Sequence, residues 1–258
     1  MSRTTHFLTA ALKLGEREHI ATVGSGGKTT FGFRLAEEMA DAGKRVVSTT
    51  TTKVRYEEGL RYPFLIQSPP GSDLIRATER ALDTSPSVFV ARGRLESGKL
   101  FGVSPREADR LFTDIGTDHV IVEADGAAGL PLKAPAPREP VIPSTTTTVI
   151  ALIGLEALGQ PLERQWVFRI STFERITGLR RGERITPAAL MRVFQGPEGL
   201  FKGTPDTSKR VAFMNKCDRC RDLGEAQRLG AMLADHSVSG VGRVIIGSLH
   251  RETYDIIE

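Results

Sequence analysis

One short run, Val23-Gly24-Ser25-Gly26-Gly27-Lys28-Thr29-Thr30, constrains the fold of this chain more than any other. It lies between an apolar, β-rich run at 19–23 and a helical stripe of Phe31, Leu35 and Met39. Glycines at a strand–loop–helix junction let several backbone N–H groups turn towards a phosphate, at the positive end of the helix dipole. The junction therefore predicts an anion-binding loop at the carboxyl end of a strand.

Lys28 and Thr29 give this loop its predicted chemistry. In a Walker A loop, a lysine in this position neutralises the β and γ phosphates and the hydroxyl that follows it ligates Mg²⁺. The match is incomplete, because the first glycine of the pattern would fall at Thr22. A Rossmann dinucleotide site fits less well, since the lysine and the hydroxyl belong to triphosphate–Mg²⁺ chemistry. The candidate nucleotide-binding residues are Gly24, Ser25, Gly26, Gly27, Lys28, Thr29 and Thr30.

Seven further apolar runs follow, and helical patterns separate most of them. They cover 44–49, 63–67, 87–91, 119–123, 147–153, 210–214 and 243–246. Runs that are continuously apolar are typical of parallel strands covered on both faces. A chain of 258 residues is long enough for one such domain with an appendage. We therefore predict an α/β fold of P-loop NTPase type, with a doubly wound, mainly parallel sheet.

Two segments interrupt the alternation of strands and helices. Residues 126–144 contain five prolines and predict a long, stiff loop after a strand. Residues 155–208 contain helical pieces but no clear strand, which predicts a helical insertion or subdomain. The predicted organisation is a nucleotide-binding core over 1–154, the insertion over 155–208, and the core resumed over 209–258.

Two carboxylates, Glu123 and Asp125, lie at the end of the apolar run 119–123. In a continuing strand, side chains two residues apart share a face, which here would be the phosphate side. An acid at such a strand end holds the Mg²⁺ shell or orients water in P-loop folds. Lys28, Glu123 and Asp125 are therefore candidate catalytic residues, and Asp125, favoured over Glu123, joins Thr29 as a candidate metal ligand. The alternative is an ordinary acidic Asp-Gly turn.

A base-recognition motif follows the run 210–214. Asn215-Lys216-Cys217-Asp218 matches the guanine-specificity motif of GTPases, in which one carboxylate accepts from two donors of the base. Asn215, Lys216 and Asp218 are therefore candidate base-binding residues. The predicted cofactors are Mg²⁺ and GTP, with ATP as the alternative. Cys217 and Cys220 form a C-x-x-C pair, but metal binding is disfavoured because no second ligand pair accompanies it.

Several cationic segments admit two interpretations. Thr49-Thr50-Thr51-Thr52-Lys53 could reach a γ-phosphate or could be a plain β stretch. Lys133 could meet an anion or could be solvated. The arginines within 164–184 could bind an anionic cofactor or partner, although such a run is more often a solvated helical face.

The composition excludes some classes of partner. The formal net charge is +4, which suits anionic ligands without requiring nucleic acid. No apolar run approaches the roughly 18 residues of a membrane-spanning helix, and the N-terminal residues show no apolar signal segment. Two cysteines are too few for a disulfide framework. We therefore expect a cytoplasmic protein with neither a nucleic-acid nor a membrane partner.

Taken together, these motifs resemble those of the YqeC-type family. The matching segments are 24–30, 49–53, 123–126, 130–135, 139–143 and 215–218. The resemblance implies a P-loop nucleotide-binding accessory protein that is associated with selenium-dependent molybdenum hydroxylases and selenium cofactor biosynthesis. Its implied partners are a nucleoside triphosphate and a molybdenum hydroxylase or its cofactor.

Three functional hypotheses follow from these motifs. The leading one is a GTP-dependent, Mg²⁺-using maturation factor that hydrolyses the nucleotide during cofactor modification or insertion. The second is an ATP-dependent ligase-like or kinase-like enzyme, because the glycine loop also resembles that of Mur ligases. The third is a non-hydrolysing chaperone that binds nucleotide and cofactor to direct assembly.

Overall fold

Strands and helices alternate along most of the chain in a computed structural model, which describes residues 3–235 and 239–257. The strands are β1 (Arg3–Thr5), β2 (Glu18–Gly24), β3 (Val46–Thr50), β4 (Lys53–Arg55), β5 (Phe64–Gln67), β6 (Ser87–Ala91), β7 (Gly93–Arg94), β8 (Lys99–Phe101), β9 (His119–Glu123), β10 (Leu132–Lys133), β11 (Thr148–Gly154), β12 (Val167–Phe168), β13 (Lys209–Asn215), β14 (Arg243–Ser248) and β15 (Thr253–Ile257). The helices are α1 (Leu8–Leu12), α2 (Lys28–Asp41), α3 (Tyr56–Gly59), α4 (Leu74–Leu82), α5 (Pro105–Thr113), α6 (Ile170–Thr177), α7 (Pro187–Gln195) and α8 (Leu223–Ala234), and short 3-10 turns cover Leu155–Ala157 and Cys217–Arg219.

Within the described residues, ten of these strands form one sheet, in the order β1-β15-β14-β13-β11-β2-β9-β3-β6-β5. Neighbours from β14 to β5 pair in parallel, whereas β15 pairs antiparallel with both β14 and β1. The eight apolar runs of the sequence correspond to the eight strands of the parallel part. The prediction of an α/β fold with a mainly parallel sheet is therefore confirmed.

Helices cover both faces of the sheet, because its strands are apolar on both sides. On one face, Ile20 and Ile150 belong to the same apolar cluster as Phe31 and Leu35 of α2. On the other face, α6, α7 and α8 pack against β2, β11, β13 and β14, while α4 and α5 pack against β3, β6 and β9. The burial of both faces explains why the strand runs are continuously apolar.

Side-chain caps fix the starts of several helices. Ser104 accepts a hydrogen bond from the N–H of Glu107 at the start of α5, and the Glu107 carboxylate accepts from the N–H of Ser104. This reciprocal pair is a capping box. Asp222 caps α8 by accepting from the N–H of Glu225.

The strand order locates a ligand crevice. From β2 the chain runs to β3, two positions away on one side, whereas β11 lies next to β2 on the other side. Ligands of open α/β sheets bind outside the carboxyl ends of the strands, at such a reversal of direction. A second, antiparallel sheet of order β4-β8-β7 begins three residues beyond the carboxyl end of β3. Both features place the candidate site at the carboxyl ends of the central strands of the main sheet.

The two interrupting segments contain short strands that the sequence did not predict. Strand β10 lies within 126–144 and pairs in parallel with β12, which lies within 155–208 together with α6 and α7. Each of these two strands is only two residues long, which is too short for an apolar pattern to indicate it. The division into a core and an insertion stays a prediction.

In the described part of the chain, none of the helices combines the length and the apolar character that a membrane crossing requires.

Candidate functional site

The glycine loop, defined here as residues 24–30, connects the end of β2 to the start of α2. Gly24, Gly26 and Gly27 have φ angles of 90°, 78° and 123°, which L side chains rarely adopt. A Cβ atom on Gly24 would lie 2.3 Å from the carbonyl oxygen of Leu152. These glycines are therefore required both by the turn and by the close approach of β11.

Hydrogen bonds hold the first half of the loop against its neighbours. The N–H of Ser25 donates to the carbonyl of Leu152 at 2.9 Å, and the N–H of Gly26 donates to the carbonyl of Leu130 at 3.2 Å. The Ser25 hydroxyl donates to the carbonyl of Pro131 at 2.8 Å. Two loop N–H groups thus bind protein carbonyls, and the segment after β9 lies against the loop.

The second half of the loop forms the N-terminus of α2. Gly27 is the N-cap, and among the described residues no side chain caps this end. The first N–H groups of a helix have no partner within the helix. Thr29 is half-buried and Thr30 is exposed, and both line a cleft. This end of α2 is therefore the part of the loop that can receive an anion.

Lys28 is almost completely buried, with 2% of its side chain exposed. Its ammonium group donates to the carbonyl of Gly24 at 2.7 Å and lies 3.1 Å from Oδ1 of Asp125. Burial alone would lower the pKa of Lys28, but the carboxylates of Asp125 and Glu123 outweigh it and raise the pKa above its ordinary value. The side chain is therefore a buried cation.

Asp125 lies beneath the glycine loop and is fully buried. Its Oδ2 atom accepts from the N–H of Gly24 at 3.0 Å and from the ammonium group of Lys133 at 2.8 Å. Strand β9 ends at Glu123, so the alternation of a continuing strand does not extend to Asp125. The carboxylate consequently lies between two lysines.

Lys133 is also fully buried, and its ammonium group donates hydrogen bonds to three acceptors. Besides Asp125, it donates to the carbonyl of Gly126 at 2.6 Å and to Oε2 of Glu139 at 2.8 Å. The solvated interpretation of this lysine is wrong, because none of its side chain is exposed, and the anions that it meets are carboxylates of the protein. Its charge is neutralised inside the protein.

Arg169, immediately before α6, completes the chain of charges. Its guanidinium group donates to both carboxylate oxygens of Glu139, at 2.6 and 2.8 Å. Burial opposes ionisation of Glu139, but the hydrogen bonds from Arg169 and Lys133 lower its pKa to about 2. We call Lys28, Asp125, Lys133, Glu139 and Arg169 the charge chain. Sequence reasoning missed Glu139 as a partner and considered Arg169 only within a charged run, because no local spacing connects them.

Glu123 lies beside Thr29 at the carboxyl edge of the sheet. Its Oε2 atom accepts from the Thr29 hydroxyl at 2.9 Å, and its Oε1 atom lies 3.7 Å from the Lys28 ammonium group. Burial raises the pKa of Glu123 above its ordinary value, although Lys28 and Thr29 oppose the shift. With 17% of its side chain exposed, this carboxylate lines the cleft.

Asn215 connects the base-recognition motif to the glycine loop. Its amide nitrogen donates to the carbonyl of Gly26 at 2.8 Å, and its amide oxygen accepts from the N–H of Leu249 at 3.1 Å. The residue thus braces two loops.

Lys216 and Asp218 lie at the end of this strand in different environments. Lys216 lines the cleft and forms an ion pair with Glu156. Asp218 lies in the 3-10 turn, and the hydroxyl of Ser248 lowers its pKa. Its Oδ1 atom is buried without a hydrogen-bond partner among the described residues. Of the two side chains, only that of Lys216 belongs to the wall of the cleft.

The cleft itself has a volume of about 900 Å³. One wall is formed by the end of the glycine loop and Glu123, and another by the segment 51–55 and Lys99. The rest of the lining comprises Glu58, residues 126–130, Glu139, Phe168, Arg169 and Lys216. Six cations line this space against three carboxylates, so it suits a polyanionic ligand.

The two cysteines are free thiols at the ends of the 3-10 turn. Burial raises the pKa of both Cys217 and Cys220. Over residues 3–235 and 239–257, no cluster of three or more His, Cys, Asp or Glu side chains is arranged to hold a metal ion.

The fold and the site define a class: an α/β protein whose glycine loop lies at the reversal point of a mainly parallel sheet, beside a cation-rich cleft. A family model described as "YqeC protein" matches residues 20–171, which is more than half of the chain. A protein of Escherichia coli (strain K12) described as "Uncharacterized protein YqeC" is 34% identical over 223 residues, which cover 86% of this chain and 85% of that protein. The chain therefore belongs to the YqeC family.

The family match covers the whole charge chain. It begins in β2 and ends two residues after Arg169, so it contains the glycine loop, Glu123 and the proline-rich segment. It ends before Asn215 and the base-recognition motif. The glycine loop and the charge chain are thus the part of the site that this family model describes.

Replacing Lys133 tests the charge chain. Lys133→Met would leave Asp125 and Glu139 with one cation fewer in a dry environment, and we expect it to lower the free energy of unfolding by about 3 kcal/mol. Urea denaturation at pH 7 measures this loss. Lys44→Met is the matched control, because Lys44 forms an exposed ion pair with Glu16 and should hardly matter. Equal, small losses in both variants would contradict the argument.

Proposed function

We propose that this protein is a P-loop NTPase-like protein that binds a nucleoside triphosphate with Mg²⁺ at the glycine loop. The observation that carries the proposal is the convergence of Lys28, Thr29 and Glu123 at the uncapped N-terminus of α2. An ammonium group, a hydroxyl, a carboxylate and free helix N–H groups are the groups that a magnesium triphosphate requires. The cation-rich cleft beside them supports the same conclusion.

The magnesium ligands that this arrangement favours are Thr29 and Glu123. Both offer oxygen atoms at the cleft, and Mg²⁺ is usually held by one or two carboxylates together with substrate phosphates and water. The Thr29 hydroxyl and the Glu123 carboxylate are 2.9 Å apart, which suits neighbouring positions around one ion. Asp125 fits the metal less well because Lys28, Lys133 and the N–H of Gly24 already surround it.

For the nucleotide base we propose guanine, with Asp218 as its acceptor. The unpartnered Oδ1 atom of Asp218 and the bracing role of Asn215 support this assignment. One observation favours the ATP-dependent alternative: the cleft wall reaches Lys216 but does not include Asp218. Binding of guanine would therefore extend the cleft towards the 3-10 turn.

In the cell, the proposed role is maturation of selenium-dependent molybdenum hydroxylases. The resemblance of the motifs to the YqeC-type family supports this role, with nucleotide hydrolysis accompanying cofactor modification or insertion.

A Lys28 variant tests the phosphate site. Lys28→Ala should weaken triphosphate binding by about 1.5–3 kcal/mol, because a charge-assisted hydrogen bond to phosphate is lost. Asp125 keeps Lys133 as a partner, so the variant should fold, which circular dichroism can verify. Isothermal titration with GTP and ATP measures the loss, and Lys13→Ala, an exposed lysine of α1's C-cap, is the control. Unchanged affinity in folded Lys28→Ala would exclude the proposed loop function.

Two carboxylate variants test the metal assignment. Glu123→Gln should abolish most of the gain in triphosphate affinity that Mg²⁺ provides, since a carboxylate charge holds the ion. Asp125→Asn should retain that gain. Titrations with and without a chelator measure it, below the unfolding temperature of each variant. The reverse result would assign the ion to Asp125, as the sequence alone favours.

An Asp218 variant tests the base. A carboxylate that accepts both guanine donors should favour GTP over ATP by at least about a hundredfold, or about 2.7 kcal/mol. Asp218→Asn should remove this preference and favour XTP, whose 2-carbonyl can accept from the new amide. Competition titrations measure the order of affinities for GTP, ATP and XTP. Asp222→Asn is a control that preserves the cap of α8. Equal affinities for GTP and ATP in the natural chain would favour the ATP-dependent alternative.

A further inference from the structure

The antiparallel sheet of β4, β8 and β7 carries three cations on one face. In the pairing of β4 with β8, Arg55 lies opposite Lys99 and Val54 lies opposite Leu100. Val54 and Leu100 are buried, with 5% and 0% of their surface exposed, so they face the apolar core. Side chains alternate along a strand, and residues opposite each other share a face. Lys53, Arg55 and Lys99 therefore lie together on the other face, which we call the cationic ribbon.

All three residues of the cationic ribbon line the cleft, where the remaining cations are neutralised. Each cation of the lining outside the ribbon pairs with a carboxylate of the protein; these pairs are Lys28–Asp125, Arg169–Glu139 and Lys216–Glu156. Within the ribbon, Arg55 pairs with Glu58. Within the described residues, Lys53 and Lys99 have no carboxylate partner. The positive charge that the protein leaves uncompensated in the cleft is thus concentrated on this ribbon.

The ribbon brings like charges close together. Arg55 lies directly opposite Lys99 in the pairing of β4 with β8, and Glu58 offsets the charge of Arg55 but not those of Lys53 and Lys99. The ribbon is held beside the candidate metal site, because the N–H of Thr51, two residues before Lys53, donates to the carbonyl of Glu123 at 3.2 Å. An anion bound by Lys53 and Lys99 would offset the positive charge that Glu58 leaves uncompensated, in the same cleft as the end of the glycine loop.

We propose that the cationic ribbon binds the phosphate group of a second small molecule, which occupies the cleft together with the nucleotide. This inference rests on the proposed function and extends it by naming the substrate class, a phosphate monoester. Two unpaired ammonium groups match its charge of about −1.5 to −2 at pH 7, and lysine binds phosphate as a point charge. The cleft volume of about 900 Å³ lies near the top of the range of about 300–1,000 Å³ for small-molecule sites.

The competing assignment uses the same cations for the nucleotide itself. The sequence suggests that Lys53 could reach the γ-phosphate, and in that case nucleotide and ribbon would form a single site. The two assignments differ in one respect. A separate subsite stays accessible to a phosphate compound when nucleotide saturates the glycine loop, whereas a shared site does not. An experiment that labels the ribbon in both states separates them.

Pyridoxal 5′-phosphate is a suitable probe, because its phosphate seeks cations and its aldehyde condenses with a lysine amine to an imine, releasing water. Borohydride then reduces the imine to a stable amine, and peptide mass spectrometry gives the labelled fraction of each lysine. In the full chain, we expect Lys53 and Lys99 to react about tenfold faster than exposed Lys13, since a cationic cleft concentrates anions. Inorganic phosphate should suppress labelling at the ribbon but not at Lys13.

Saturation with a non-hydrolysable GTP analogue and Mg²⁺ is the second arm. If Lys53 and Lys99 are still labelled in the presence of the GTP analogue, and inorganic phosphate still suppresses this labelling, the result supports a second ligand at the ribbon. Labelling that the nucleotide abolishes would overturn the proposal and assign the cations to the triphosphate. Nucleotide affinity is measured separately with the Lys28→Ala variant. If no nucleotide binds, phosphate-sensitive labelling still demonstrates the subsite, so the two proposals fail independently.

Two variants test whether the lysines share one phosphate. Lys99→Gln should slow the labelling of Lys53 about tenfold, because the remaining ammonium group holds the probe alone. Lys13→Gln is the matched control and should leave the labelling rate of Lys53 unchanged. Both positions are exposed, so the fold should persist, as thermal unfolding can verify. Equal rates at Lys53, Lys99 and Lys13 in the natural chain would overturn the proposal.

Discussion

The fully buried carboxylate of Asp125, held between the ammonium groups of Lys28 and Lys133, is the interaction on which the site depends. Isolated buried charges cost several kcal/mol, and alternating partners reduce that cost. The same carboxylate accepts the N–H of Gly24 and so fixes the start of the glycine loop. Through Lys133 and Glu139 it also joins the proline-rich segment to α6, and three separate regions of the chain thus share one electrostatic unit.

On the proposed function, a triphosphate would be a second anionic partner for the ammonium group of Lys28, besides Asp125. Lys133 keeps Asp125 compensated in that state, so the buried carboxylate is never left alone. The N–H groups of Ser25 and Gly26 are already bound to the carbonyls of Leu152 and Leu130, so the uncapped N-terminus of α2 is the part of the loop that would receive the phosphate.

Much of the fold could be predicted from the sequence, because the parallel strands are continuously apolar, and all of them except the edge strand β5 are largely buried. The strands that escaped prediction are the antiparallel strands β1 and β15 of the main sheet and the short strands β4, β7, β8, β10 and β12. Apart from β15, which has five residues, these strands have only two or three residues and so contain no period to detect. Of the arginines within 164–184, Arg169, Arg175 and Arg184 pair with Glu139, Glu198 and Glu225, which lie outside that run. Sequence proximity does not predict such partners.

The sequence by itself determined the strand–loop–helix junction, since only glycines fit the positive φ angles and the contact with Leu152. It also determined that two carboxylates follow the neighbouring strand. Only the tertiary structure decided their roles. Because β9 ends at Glu123, the chain turns there, and Glu123 meets Thr29 at the cleft while Asp125 passes beneath the loop to the buried lysines. The end of a strand is set by its pairing with β2 and β3, which are remote in sequence.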